Sequence, residues 1–156
     1  MPTFEAIFFP ANDRSPTTVP LLTSNFVFQG PAAHEPPYRA GRLPHPEIHM
    51  DYIADRSWEY HTVSALDGMS TGFQSPYIVF YPVRSRDGMP FPVNKCVREI
   101  QGGAFVDRFP WRGDLVVAKY RDANFSEMTD ASMADFPIIK NYLSTKPGPR
   151  AQQPQS

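Results

Sequence analysis

Cysteine is almost absent from this sequence. Cys96 is the only cysteine among 156 residues, so no disulfide can form within the chain. Secreted domains of this size commonly carry disulfides, whereas cytosolic and nuclear proteins keep their thiols reduced. The cysteine content therefore predicts an intracellular protein, cytoplasmic or nuclear.

Long apolar runs and a basic leader are also lacking. The longest apolar run, Tyr77 to Tyr81, is far shorter than the roughly 20 residues that a helix needs to cross a bilayer. The first ten residues hold an acid and two prolines but no basic residue, unlike a signal peptide. We expect a soluble protein with no membrane partner.

The charge balance is close to neutral. Fifteen Lys and Arg residues oppose sixteen Asp and Glu residues, which leaves a formal net charge of −1. Domains that bind the phosphate backbone carry a basic surface, so nucleic acid is not expected as a partner. The sequence also lacks a P-loop and a dinucleotide fingerprint, and it indicates no catalytic residue and no cofactor.

Prolines are concentrated at one end. Nine of the 18 prolines precede residue 47, and none lies between Glu47 and Ser75. Because proline fixes φ and removes a backbone donor, residues 1–46 are predicted to form an extended proline-rich arm. This arm packs either on its own core or on a partner subunit. Within it, the runs Phe4 to Phe9 and Asn25 to Phe28 have the length of short edge strands.

The proline-free window has the period of strands. Polar and apolar residues alternate over 48–53 and again over 57–64, which predicts two strands joined by a hairpin. A helix that begins at Pro46 is the alternative.

In the second half of the chain, the apolar patterns predict a strand followed by a helix, and then a second strand and a second helix. Strands are expected at 76–82 and 114–121, and helices at 92–101 and 132–143. Pro92 suits the first position of its helix, and Gly102 suits the stop. Residues 144–156 have the composition of a flexible tail. The predicted fold is α+β: one domain over residues 1–143, with a small mixed sheet and two short helices.

Several segments between residues 91 and 143 carry a resemblance to known sequences. They are Phe91-Pro92-Val93-Asn94-Lys95, Gln101-Gly102, Trp111 to Tyr120, and Asp135-Phe136-Pro137-Ile138-Ile139. This pattern resembles that of short uncharacterised proteins of mushroom-forming fungi. The resemblance covers about a third of the chain and implies no activity.

Metal-capable side chains are densest around the predicted hairpin. His45, Glu47, His49 and Asp51 alternate along one face, but alternate residues of a strand are roughly 6.5 Å apart, so at most two neighbours can share an ion. Ligands from the returning strand would complete a site. The candidate metal ligands are His49, Glu59 and His61, and the competing interpretation is a solvated polar face.

Arginines follow the predicted strand at 76–82. If this strand and the one at 114–121 were parallel, their carboxyl ends would form a ligand-binding edge. Arg84 and Arg86 would then hold an anion, with Trp58 close by. The competing interpretation is that these are solvated loop arginines.

The arm and the missing catalytic motifs favour a non-catalytic protein-interaction or scaffold protein. A protein partner or self-association would engage residues 1–46. The alternative is a small enzyme or ligand-binding protein with a histidine and carboxylate pocket, with or without a metal.

Overall fold

The computed structural model describes residues 3–12, 15–23, 48–49, 57–66, 69, 71–84, 89–102, 109–121 and 128–153. These residues form an antiparallel sheet and two helices, so the predicted α+β class is confirmed. The strands are β1 (Thr3–Phe9), β2 (Thr17–Thr23), β3 (Ile48–His49), β4 (Ser57–Val63), β5 (Tyr77–Arg84), β6 (Leu115–Tyr120) and β7 (Met128–Thr129). The helices are α1 (Lys95–Gln101) and α2 (Phe136–Thr145).

The sheet has the strand order β3-β2-β1-β6-β5-β4, and β7 pairs with β6. Every pairing between described strands is antiparallel, so within this part of the chain the sheet is not mixed. In particular, β5 and β6 are antiparallel neighbours, with Val79 opposite Val117. The parallel arrangement considered for these two strands is therefore wrong.

The N-terminal strand lies inside the sheet. β1 is the expected strand of Phe4 to Phe9, but it sits between β2 and β6 rather than at an edge. Its side chains alternate between two buried faces, with Ile7 and Phe9 on one and Ala6 on the other. Pro20 is tolerated in β2 because β3 pairs only with the two residues Leu22 and Thr23. Residues 24–47, which include the expected strand from Asn25, lie outside the described residues.

The predicted hairpin between 48–53 and 57–64 is wrong. β3 pairs with β2, whereas β4 pairs with β5, and the two strands stand at opposite ends of the strand order. Alternation located β4 correctly and, of the strand expected at 48–53, the two described residues Ile48 and His49, because a period of two reports one buried face. It could not identify the partner strand, which for β4 is the apolar β5.

Helix α1 begins later than its proline suggested. Asn94 is its N-cap, and the Asn94 side chain accepts a hydrogen bond from the Val97 N–H at 2.9 Å. The same amide donates to the carbonyls of Phe9 at 2.8 Å and Gly113 at 2.7 Å. Pro92 therefore precedes the helix, because a cap with three bonds outweighs the preference of proline for the first turn. The predicted stop at Gly102 is confirmed, with φ of 60°.

Helix α2 confirms the prediction for 132–143. Ser132 caps a short 3-10 turn, Met133–Asp135, that leads into the helix, and the carboxylate of Asp135 accepts the Ser132 N–H in return. This reciprocal pair is a capping box. Ile139 and Tyr142 of the helix are buried against the sheet.

The sheet is buried on both faces. The helices contribute to one apolar cluster, whose strand members include Ile7, Val79 and Val117. The opposite face has a second cluster, which includes Ala6, Phe80 and Tyr120. Among the described helices, none has the length and apolar character to cross a bilayer.

The predicted flexible tail is wrong for residues 144–153. This segment packs against the domain, and Gly148, Pro149 and Gln152 are buried. Its composition resembles that of a disordered tail, but its backbone carbonyls and glutamine side chains are bonded to the rest of the chain. We call residues 146–150 the C-terminal wall, because they form one side of the cleft described next.

Candidate functional site

A cleft of about 440 Å³ opens between the C-terminal wall and the strands β4 and β5. Its volume falls within the range of small-molecule sites. The described lining consists of His61, Tyr81, Tyr142, Lys146, Pro147, Gly148, Pro149 and Arg150. The cleft thus combines residues from two strands, a helix and the C-terminal wall.

Three rings hold one side of this cleft in place. His61 contacts Tyr81 edge to face, with ring centroids 5.0 Å apart, and it contacts Trp111 at 5.7 Å. Tyr81 and Trp111 contact each other at 5.8 Å, again edge to face. These are favoured aromatic geometries. Because Tyr81 and Trp111 are almost fully buried, the half-buried His61 ring has a fixed support.

The C-terminal wall is anchored through its own backbone. The Lys146 carbonyl accepts hydrogen bonds from the Gln101 side chain at 2.9 Å and the Trp111 indole at 3.1 Å. Two residues on, the Gly148 N–H donates to the Phe109 carbonyl at 2.6 Å. A short segment with no regular structure is thereby held at a defined distance from His61.

The charged groups of the cleft are cationic. Lys146 and Arg150 line it, and its described lining contains no acidic residue. The Lys146 ammonium lies 5.8 Å from the centroid of the Tyr142 ring, within cation–π range. The Arg150 side chain is exposed. A ligand that enters the cleft therefore meets positive charge.

The structure separates His49 from the other two predicted metal ligands. His49 is in β3, at one end of the strand order, while Glu59 and His61 are in β4, at the other end. The described part of the chain contains no group of three or more metal-capable side chains. His61 lines the cleft, where it contacts the rings of Tyr81 and Trp111.

The predicted anion site has a different geometry from the one expected. Arg84 ends β5 opposite Ser57, and Trp58 pairs with Pro82 in the backbone, while Arg86 lies outside the described residues. Because β5 and β6 are antiparallel, Arg84 at the end of β5 and Arg121 just after β6 lie at opposite ends of this strand pair. The carboxyl-end crevice predicted from parallel strands therefore does not exist here, and the described cations of the cleft come from the C-terminal wall.

A second polar cluster joins α2 to the sheet, and the sequence interpretation missed it. The Tyr77 hydroxyl donates to Asp135 Oδ1 at 2.7 Å, and Lys119 Nζ lies 2.9 Å from the same oxygen. Burial and the neighbouring carboxylate raise the pKa of Tyr77 far above its usual value, so the phenol keeps its proton. Burial opposes the charge on Asp135, but hydrogen bonds from Tyr77, Lys119 and Ser132 outweigh it and lower the pKa of that carboxyl. The capping-box spacing of Ser132 and Asp135 was the available signal.

The loop between β4 and β5 also contains a pattern that the sequence interpretation did not use. Residues 68–72 read Gly-Met-Ser-Thr-Gly, which matches the Gly-x-Ser-x-Gly of a nucleophile elbow. An elbow requires a strand, a sharp turn and then a helix. Here the preceding element is β4 and the following one is the strand β5, so the structural context of an elbow is missing. Ser70 itself is outside the described residues.

Cys96 is on the buried face of α1, as its spacing predicts, with none of its surface exposed. Reactive cysteines need partly exposed, electropositive surroundings, and we assign this thiol to the core.

Comparison with protein families, with characterised proteins and with solved structures gave no match. The resemblance of residues 91–143 to short fungal proteins therefore stays a prediction.

Proposed function

We propose that this protein is a non-catalytic binding protein and that its cleft holds a small ligand. One observation carries the proposal. His61, which is supported by rings, faces the anchored C-terminal wall across a cleft of about 440 Å³. Sites for small molecules are concave, largely preformed, and lined by apolar groups with a few polar ones. The cleft is concave and combines ring and proline side chains with two cations.

Binding is favoured over catalysis by where the polar groups are. The polar cluster of Tyr77, Lys119 and Asp135 joins α2 to the sheet and lies outside the described lining of the cleft. In the cleft, His61 contacts the Tyr81 and Trp111 rings edge to face, and this support fixes the ring as part of the wall of a binding site. We therefore assign His61 to shape and contact.

The position of β1 weakens the partner-binding arm that the sequence favoured. Residues 3–9 pair on both sides within the sheet, so this part of the N-terminal segment is structural. We place the protein inside the cell, in keeping with its single cysteine.

A fragment screen followed by NMR tests the proposal. A set of charged and neutral aromatic fragments would be titrated into isotope-labelled protein, and backbone amide shifts would be followed. We expect the shifts to cluster at His61, Tyr142 and residues 146–150. Shifts scattered over the surface, or none with any fragment, would overturn the proposal.

A pair of proline variants sharpens the test. Pro147 and Pro90 are both exposed, but only Pro147 lines the cleft. Pro147→Trp fills the cleft, and we expect it to weaken fragment binding by about tenfold or more, a change of about 1.4 kcal/mol. Pro90→Trp is the matched control and should bind as the original protein does. Equal binding by both variants would place the ligand elsewhere.

A further inference from the structure

We infer that the ligand of this cleft is a small organic anion, a carboxylate or phosphate on a flat apolar body, and that Arg150 selects it. The inference rests on the proposed function, and it adds the class of ligand and the residue that discriminates.

Polar recognition by the C-terminal wall depends on its side chains. Pro147 and Pro149 have no backbone N–H. The N–H of Gly148 between them is already used, because it donates to the Phe109 carbonyl. The charged donors that this wall can offer a ligand are the side chains at either end of the Pro-Gly-Pro sequence, Lys146 and Arg150.

Lys146 and Arg150 differ in their surroundings. Lys146 is half-buried, and its ammonium lies over the Tyr142 ring. Arg150 is exposed at the rim and forms no ion pair with any residue in the described ranges. A guanidinium presents two parallel donors that match a carboxylate or a phosphate. Arg150 is thus the group whose charge a ligand can neutralise.

The rest of the ligand would lie against the ring side of the cleft. The half-buried His61 contributes ring surface to the cleft, and the buried rings of Tyr81 and Tyr142 lie behind it in the lining. Flat apolar groups pack against rings face to edge or with an offset, so a planar body fits better than a branched one.

The probes separate charge from shape. Benzoate and phenyl phosphate carry the two candidate anions on one flat body, benzamide is the neutral counterpart, and acetate and inorganic phosphate are anions without that body. Binding to the full chain would be measured by NMR titration. Arg150→Gln removes the selecting charge, and Lys140→Gln, on the exposed side of α2, removes an equal charge outside the cleft lining.

We expect benzoate or phenyl phosphate to bind in the cleft at least about tenfold more tightly than benzamide, acetate or inorganic phosphate. Arg150→Gln should remove this preference and leave benzamide binding unchanged, whereas Lys140→Gln should preserve it. Equal losses in the two variants would indicate unspecific attraction and overturn the inference. If benzamide bound as tightly as benzoate, the inference would be overturned and the proposed function would stand. If no probe bound, both the inference and the proposed function would be refuted.

Discussion

The side chain of Gln152 pairs with both backbone groups of Arg112. Gln152 Oε1 accepts the Arg112 N–H at 2.8 Å, and Gln152 Nε2 donates to the Arg112 carbonyl at 2.5 Å. The same Nε2 donates to the Pro82 carbonyl at 2.7 Å. One buried amide therefore joins the chain terminus to the end of β5 and to the turn before β6.

Replacing this amide by a carboxylate should loosen the C-terminal segment. Gln152→Glu keeps the size of the side chain but exchanges the donor for an oxygen that faces two carbonyls. We expect a loss of about 2–4 kcal/mol in the free energy of unfolding, because the carbonyls of Pro82 and Arg112 lose their hydrogen-bond donor. Urea unfolding near neutral pH measures it. Gln74→Glu, at an exposed position, is the matched control and should change stability by less than about 0.5 kcal/mol.

Gly148 is needed for the close contact of the C-terminal wall with the domain. A Cβ at this position would overlap the Pro110 carbonyl and lie 2.7 Å from the Trp111 nitrogen. Because both neighbours are backbone atoms, Gly148→Ala should displace the wall, lower stability by about 1–3 kcal/mol, and weaken fragment binding in the cleft. Thermal unfolding and NMR titration measure the two effects.

Gly102→Ala provides the comparison for that variant. Gly102 has φ of 60°, and in the described part of the chain no atom beyond its own helix and chain neighbours lies within 4 Å of an added Cβ, so its cost of about 1 kcal/mol would come from backbone strain. Its fragment binding should be unchanged. If Gly148→Ala also left binding unchanged, the wall would not depend on this contact.

The role of the N-terminal segment can be tested within one cross-strand pair. Ile7 of β1 is opposite Thr18 of β2, and Ile7 is fully buried while Thr18 is exposed. Ile7→Ala should cost about 2–5 kcal/mol through the cavity that it leaves, whereas Thr18→Ala should cost less than about 0.5 kcal/mol. If the two substitutions had equally small effects in denaturant unfolding, β1 would contribute little to the stability of the domain.

Much of the regular structure could be read from the sequence because local patterns report burial. The strands at 57–64, 76–82 and 114–121 and the helix at 132–143 each have a clear apolar period, and each is present. Pairing could not be read in the same way. β1 pairs with β6, more than 100 residues later in the chain, and no pattern within either strand identifies that partner.

The site was less predictable for the same physical reason. His61 was recognised as a candidate, but it was assigned to a metal because the predicted hairpin placed other ligands beside it. Its actual neighbours, Tyr81 and Trp111, come from β5 and from the segment before β6. The C-terminal wall was missed because its proline and glycine content is typical of disorder, and its order comes from long-range bonds such as those of Gln152.

Asp135 should make the protein sensitive to acid. The hydrogen bonds from Tyr77, Lys119 and Ser132 hold the folded-state pKa of Asp135 below its ordinary value of 3.8, so its contribution to stability is complete above that value and is lost as the pH falls through the lower one. Asp135→Asn should therefore cost about 2–4 kcal/mol near neutral pH, from bonds to a charged group, and progressively less below about pH 4. Chemical unfolding of both proteins across this range measures the difference, with Glu99→Gln on the exposed face of α1 as the control. A difference that stayed constant down to about pH 2.5 would mean that the ionised carboxylate is not what joins α2 to the sheet.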